Sequence, residues 1–327
     1  MKFRTELEIG KSSVGLSPER PVVLLGSCFA ANIAERMRRG LWNACNPLGT
    51  LYNPLSIERS LRMVLSVEES VLEESLFSGG GAWRSWLADS SMSAETVEDV
   101  AADFRRRAAM LEDMLRQGER LFVTFGTAWC YYLKEREGYV VANCHKQPAS
   151  LFERRRAGIG EIADIWKALI KDLRDRFPGL EIFFTVSPVR HLKDGFEGNA
   201  VSKAILRIAV EEICRNNDHC HYFPAYEIMN DDLRDYRFYA SDLVHPSEEA
   251  TEYIWEKFRE TYLDVAGEVL LREGEKLWKA LHHRPLPNAT RHPSESMLRG
   301  EELRRSELER RLREFHDHHP GMLGLYH

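Results

Sequence analysis

The sequence predicts an α/β protein, a parallel sheet covered by helices on both faces. Three observations carry this. Short apolar runs at Val22 to Leu25, Leu121 to Phe125, Ile182 to Val186 and His221 to Phe223 read as buried strands bounded by turn residues. Helical periodicities separate them, and strands alternating with helices are the pattern of a parallel sheet buried on both sides. The chain is also long enough, at 327 residues, to bury a large core.

Composition excludes several functions. A net charge of -6 with mixed signs gives no footprint for nucleic acid. No apolar run approaches the roughly 20 residues that cross a bilayer, so no membrane association is expected. Met1 to Glu8 alternates polar and apolar residues and lacks the apolar core of a secretory signal, so the expected location is cytoplasmic. Six scattered cysteines without a C-x-x-C pair fit a reducing compartment. On a strand, His219 and His221 share a face that Cys220 does not. No further ligand pair follows at zinc spacing, so no metal is expected.

Taken in order, residues 1 to 20 form an extended lead-in, and Pro18 and Pro21 bracket the first strand. That strand ends in Gly26-Ser27-Cys28. Phe29, Ile33 and Met37 then mark an amphipathic helix that stops near Gly40. A strand end is rigid and a helix N-terminus favours negative charge, so this turn suits a nucleophile. Ser27 is the candidate, and a Cys28 thiolate is its rival. The loop from Asn46 to Pro54 is rich in Gly, Pro and Asn, and serves either as a wall of the site or as an ordinary turn.

Ser56 to Gln117 reads as mostly helical. One face carries Ile57, Leu61, Val64 and Leu65, another Phe104, Ala108, Leu111 and Leu115. Gly79-Gly80-Gly81 with Trp83 and Trp86 reads as a loop whose tryptophans cap the core. The second strand ends in Gly126-Thr127-Ala128. A hairpin follows from Trp129 to Tyr132 and Gly138 to Val141, leading to Asn143-Cys144-His145-Lys146. A helix over about Ile159 to Phe177 stops at Pro178-Gly179. The third strand ends in Ser187-Pro188-Val189-Arg190-His191. The helix from Ala200 to Arg215 is expected to turn Val201, Ala204, Ile205, Ile208 and Ile213 inward.

After the fourth strand, Asp242-x-x-His245-Pro246 precedes the last helix, with Pro246 in its first turn. The tail from about Gly267 is broken at His282 to Pro287. Glu301/Arg305, Glu307/Arg311 and Glu309/Arg313 then support a charged helix with a thin apolar line of Leu308, Leu312 and Phe315.

A serine attacks only when a base takes its proton, and a carboxylate holds that base in the right tautomer. Asp242 and His245 supply both from one short segment. Oxyanion donors are expected at the Ser27 N–H, the Gly49 loop and the Gly126 turn. His145 and Lys146 read equally as support or as an anion contact. Arg190 and His191 lie where α/β sheets bind ligands, beyond the carboxyl ends of the strands.

The motifs in this order resemble those of the GSCFA family. They are Gly26-Ser27-Cys28-Phe29-Ala30, Asn46-Pro47-Leu48-Gly49 with Tyr52-Asn53-Pro54, Phe125-Gly126-Thr127-Ala128-Trp129 and Asn143-Cys144-His145-Lys146. They continue through Ser187 to His191, Ser202-Lys203-Ala204 and Tyr222 to Glu227, ending at Asp242 to Pro246. That family is similar to the SGNH, or GDSL-like, hydrolases. The resemblance implies a three-layer α/β/α, flavodoxin-like fold and a Ser-His-Asp site for esters of lipids and carbohydrates. Carried over, Ser27 is the nucleophile, Asp242 and His245 the pair, and Gly49 an oxyanion donor.

Two departures stand out. Gly-Asp-Ser is Gly26-Ser27-Cys28 here. Gly-x-Asn is Gly126-Thr127-Ala128, so Thr127, Asn53 or Asn143 must replace the asparagine donor. The expected function is a serine esterase that cleaves acyl esters, acetylated carbohydrates among them, through an acyl-enzyme on Ser27. Its partner is a small-molecule or carbohydrate ester, with no metal or organic cofactor. Alternatives are acyl transfer to a sugar or another hydroxyl, and a binding protein that keeps the fold. Residues 1–266 are expected to form one domain with a helical insertion at about 55–118. Residues 267–327 form a charged helical tail outside the resemblance.

Overall fold

In a computed structural model, which describes residues 5–215, 217–282 and 295–322, the apolar runs become strands. The chain runs β1 (Val22–Gly26), α1 (Cys28–Arg39), β2 (Ala44–Cys45), α2 (Pro54–Leu65) and α3 (Glu69–Ser75). Next come β3 (Leu76–Gly79), β4 (Ala82–Ser85), β5 (Ser93–Ala94), α4 (Val97–Gly118) and β6 (Arg120–Phe125). Then follow β7 (Trp129–Leu133), β8 (Val140–Val141), β9 (Phe152–Arg156), α5 (Ile159–Arg176), β10 (Glu181–Val186), α6 (Gly195–Arg215) and β11 (Cys220–Tyr222). The single turn α7 (Ala225–Glu227) precedes α8 (Glu248–Tyr262), α9 (Val265–Leu281) and α10 (Glu295–His318).

The main sheet has the order β11-β10-β6-β1-β2, and every pair is parallel. In chain order from the β2 edge this is 2-1-3-4-5, the flavodoxin-like arrangement, whose switch point lies between β1 and β6. Alternation along β1 explains the two helix layers. Val23 and Leu25 join the core with Phe104, Trp166 and Leu206, whereas Val22 and Leu24 join the opposite core with Phe29, Phe258 and Tyr262. The three-layer α/β/α fold is therefore present.

The region read as mostly helical holds α2, α3 and α4, but the stretch 79–86, read as a loop, differs. Between α3 and α4 the chain forms a small antiparallel sheet, β3-β4-β5, turning at Gly80 and Gly81, both with positive φ. Trp86 stacks on Phe77 there, with ring centroids 3.6 Å apart, so short-range aromatic pairing organises the segment. The hairpin after β6 gains a third strand, β9, which pairs with β7.

Helix α6 is rotated from the expected face: Ile213 is buried and Ile205 packs against the core as expected, but Val201 and Ile208 are exposed, while Ser202, Lys203, Leu206, Ala209 and Val210 are buried. Apolar periodicity missed this because two of the inward residues are polar and bonded within the core. Ser247, rather than Pro246, begins α8 as its N-cap, and Pro246 lies one residue before it. The tail packs on the domain through Leu312 and Phe315. Its described ion pairs are Arg305–Glu309, Arg310–Glu307 and Arg310–Glu314. The break expected over residues 283–287, and the Glu301 side chain, lie outside the described residues. No helix among the described residues is long and apolar enough to cross a membrane.

Candidate active site

The turn after β1 is set by close approach. Gly26 has φ +127, and a β-carbon there would clash with the Thr124 backbone. The chain then enters α1 with Ser27 as N-cap, its Oγ accepting from the Phe29 N–H at 3.3 Å. Ser27 is only 1 % exposed. Cys28, the first residue of the helix, lines a cavity of about 510 Å³. Tyr52, Asn53, Thr127, Asn143, Arg190, His191 and His245 also line this cavity; Ser27 does not.

The turn that carries Asp242 and His245 reaches the same cavity through His245. Asp242 Oδ1 accepts from the N–H groups of Val244 (2.9 Å) and His245 (3.0 Å), and Oδ2 accepts from His245 Nδ1 at 2.7 Å. Those donors, the His245 amide foremost, hold the Asp242 carboxyl down at about 2. With Nδ1 occupied, the His245 Nε2 is the nitrogen left to take a proton. The turn is tied to the sheet because Arg190 N–H donates to the Val244 carbonyl at 3.1 Å.

The backbone donors expected for an oxyanion have other partners. The Ser27 N–H donates to Thr124 O at 3.2 Å, the Gly49 N–H to Asn46 O at 3.3 Å and the Gly126 N–H to Tyr52 O at 2.8 Å. Gly49 is also absent from the cavity wall, packed against the Asp89 carboxylate. Asn53 is better placed. Its Oδ1 caps α2 by accepting from Ser56 N–H at 2.8 Å and also accepts from Cys130 Sγ. The cap fixes Oδ1 toward the helix, so the Nδ2 amide is the end left for the cavity. The Thr127 hydroxyl pairs with Ser202 Oγ and accepts from the Trp129 N–H, and Asn143 Oδ1 accepts from the His145 N–H at 2.7 Å.

His145 is not in the cavity wall. Its Nδ1 pairs with Ser90 Oγ at 3.1 Å and its Nε2 with the Ser85 carbonyl at 3.0 Å. It packs against Phe77 and Trp86, and burial lowers its pKa. These bonds tie the loop after β8 to the small sheet. His191 is different. Its Nε2 is buried without a hydrogen-bond partner among the described residues, and burial, then the neighbouring Lys203 and His245, press its pKa down to about 4. A neutral ring therefore faces the site. A β-carbon at Gly126 would lie 3.4 Å from both His191 Nε2 and Ser27 Cβ, so that glycine keeps the space between them open.

One residue beside the site has no role assigned from the sequence. Lys203, 2 % exposed, donates from Nζ to the carbonyls of Gly126 and Ser187, both at 2.7 Å. It joins the ends of β6 and β10, and burial lowers its pKa to about 7. Only its place in the Ser202-Lys203-Ala204 motif signalled it. Burial, the largest influence, raises the Cys28 thiol pKa, and the N–H groups of Phe29 and Cys28 itself, and then Lys203, offset it only in part. The His219 and His221 pair has a partner in Glu181, which receives both rings, at 3.1 and 2.7 Å.

With that geometry in view, a model of the GSCFA family matches residues 21–258, well over half of the chain. The chain belongs to the GSCFA family. The GSCFA match spans the β1 turn, the Asn53 cap, Lys203 and the Asp242–His245 turn, and ends within α8. No curated protein matches the sequence.

Proposed function

We propose that this GSCFA protein is an acyl-transferring enzyme, an esterase in its simplest form, with Cys28 in place of Ser27 as nucleophile. One observation carries the choice: Cys28 and the Asp242-oriented His245 line the same cavity, whereas Ser27 is buried as a helix cap. The carry-over that gave Ser27 this role is thereby revised: laid position by position on Gly-Asp-Ser, Gly26-Ser27-Cys28 sets Cys28, not Ser27, opposite the serine.

His245 Nε2 takes the proton from Cys28 Sγ, and the sulfur attacks the ester carbonyl. The oxyanion is met by Asn53 Nδ2 and by the Cys28 N–H at the start of α1. The tetrahedral adduct collapses to a thioester, and the proton on His245 passes to the departing alkoxide. His245 next deprotonates water or an acceptor hydroxyl. That oxygen attacks the thioester and expels the Cys28 thiolate, which regains its proton. Asp242 keeps His245 in the Nδ1–H tautomer throughout. The test is turnover of short acyl esters and acetylated sugars, with and without added hydroxyl acceptors, by wild type and by the Cys28→Ala and His245→Ala variants. Turnover that survives Cys28→Ala contradicts the assignment; acyl products on an added hydroxyl distinguish transfer from hydrolysis.

A further inference from the structure

The walls of the cavity carry charge of one sign. Arg154, Arg190 and Lys193 line it, together with His191 and His245, and no Asp or Glu is among the lining residues. Arg154 is neutralised, since both its terminal nitrogens bond the Asp194 carboxylate. Asp194 thus spends both oxygens on Arg154, although it adjoins Lys193 in sequence.

Arg190 and Lys193 are anchored without a carboxylate partner among the described residues. The Arg190 guanidinium sits 3.9 Å from the Tyr239 ring centroid and donates from Nη1 to the Leu243 carbonyl at 3.5 Å. Lys193 Nζ donates to the Tyr131 hydroxyl at 2.8 Å. Both cations are therefore held at the wall by neutral groups, and Asp194, whose charge acts on Lys193 through space, is already bonded to Arg154. Cations in a concave site draw and orient an anion far better than the same charges on a flat, fully hydrated surface.

We propose that the acyl substrate carries a negative charge, a carboxylate or a phosphate, which Arg190 and Lys193 hold while its ester faces Cys28. The orientation toward Cys28 rests on the reaction proposed above; the anion preference does not. Arg190 also bonds the backbone that carries His245, so the charge is recognised beside the base.

Three aryl acetates of one shape test this: neutral 4-acetoxybenzamide, 4-acetoxybenzoate and 4-acetoxyphenyl phosphate. Their binding is measured by calorimetry on the full-length Cys28→Ala variant, which does not consume them in the proposed reaction, and their kcat and KM on the wild type. At least one charged ester should bind about tenfold tighter than the neutral one. The preference should shrink with added salt. Lys193→Gln, which leaves the His245 turn untouched, should lose a substantial part of it through KM, and Arg190→Gln with Lys193→Gln should abolish it. The stronger of the two anions identifies the group carried. Equal binding of all three esters, or a preference that survives the double variant, overturns the proposal. Anion preference without turnover would instead sink the acyl-transfer reading, and turnover without preference would sink only this one.

Discussion

The Lys203 ammonium donates to the Gly126 carbonyl at 2.7 Å and in doing so fixes the turn that faces both Ser27 and His191. Its second bond, to Ser187, makes it a clamp between two strand ends rather than a surface charge turned inward. Lys203→Met should leave two buried carbonyls without a donor, at roughly 1–3 kcal/mol each, as read by urea unfolding. The pH dependence has a definite sign. With its native pKa lowered to about 7, Lys203 binds fewer protons folded than unfolded between about pH 7 and its ordinary 10.5. Wild-type stability from this group should therefore rise with pH across that window, by at most about 1.4 kcal/mol per unit. The gap between wild type and Lys203→Met should widen from pH 7 to pH 9; a constant gap would show that the lysine does not titrate there.

Gly126 is small because the site needs the space. A β-carbon there would sit 2.9 Å from the Tyr52 carbonyl and 3.4 Å from Ser27 Cβ and His191 Nε2. Gly126→Ala should cost about 1–3 kcal/mol of stability through overpacking. It should lower kcat/KM at least tenfold, because a misplacement of about 1 Å can cost a hundredfold. Kinetics beside a thermal melt would separate the two effects.

Asn53 has two jobs that one substitution can split. Asn53→Asp keeps an oxygen to cap α2 but removes the Nδ2 donor. The expected result is a nearly unchanged melting temperature with kcat down about 10²–10³-fold, as for loss of an oxyanion donor elsewhere. Unchanged kcat would assign Asn53 to the helix cap alone.

His145 should behave in the opposite way. His145→Phe abandons the Ser85 carbonyl and the Ser90 hydroxyl, so stability should fall by about 1–3 kcal/mol, while kcat/KM at a permissive temperature should stay within a few-fold. The native pKa lies below the ordinary histidine value. Its contribution is thus complete above about pH 6.5 and is lost as pH falls further, since the unfolded chain binds the proton first. Urea midpoints at pH 7 and pH 5 should show a smaller loss on acidification in the variant.

Much of the fold could be read from the chain because burial on both faces makes β1, β6 and β10 continuous apolar runs, and Gly40 and Pro178 mark where helices stop. The small β3-β4-β5 sheet was hidden, since its order comes from Phe77 meeting Trp86 in space rather than from periodicity. The buried face of α6 was missed for a related reason: Ser202 and Lys203 are inside because backbone carbonyls and the Ala128 N–H need them. At the site, the spacing of Asp242 and His245 was informative, because three residues on a turn suffice for a direct bond. Which of Ser27 and Cys28 faces the cavity was not, because it depends on where α1 begins to within one residue.

That one residue is also where the account is most exposed. Wild type, Ser27→Ala and Cys28→Ala should each be mixed with an activated acetyl ester, quenched in acid and fragmented by mass spectrometry, with neutral hydroxylamine used to cleave thioesters selectively. Ser27→Ala should lose about 0.5–2 kcal/mol of stability with its helix cap and still acylate. A hydroxylamine-labile acetyl group should appear on Cys28 and be absent from Cys28→Ala. A hydroxylamine-stable acetyl group on Ser27 that persists in Cys28→Ala would contradict the Cys28 assignment.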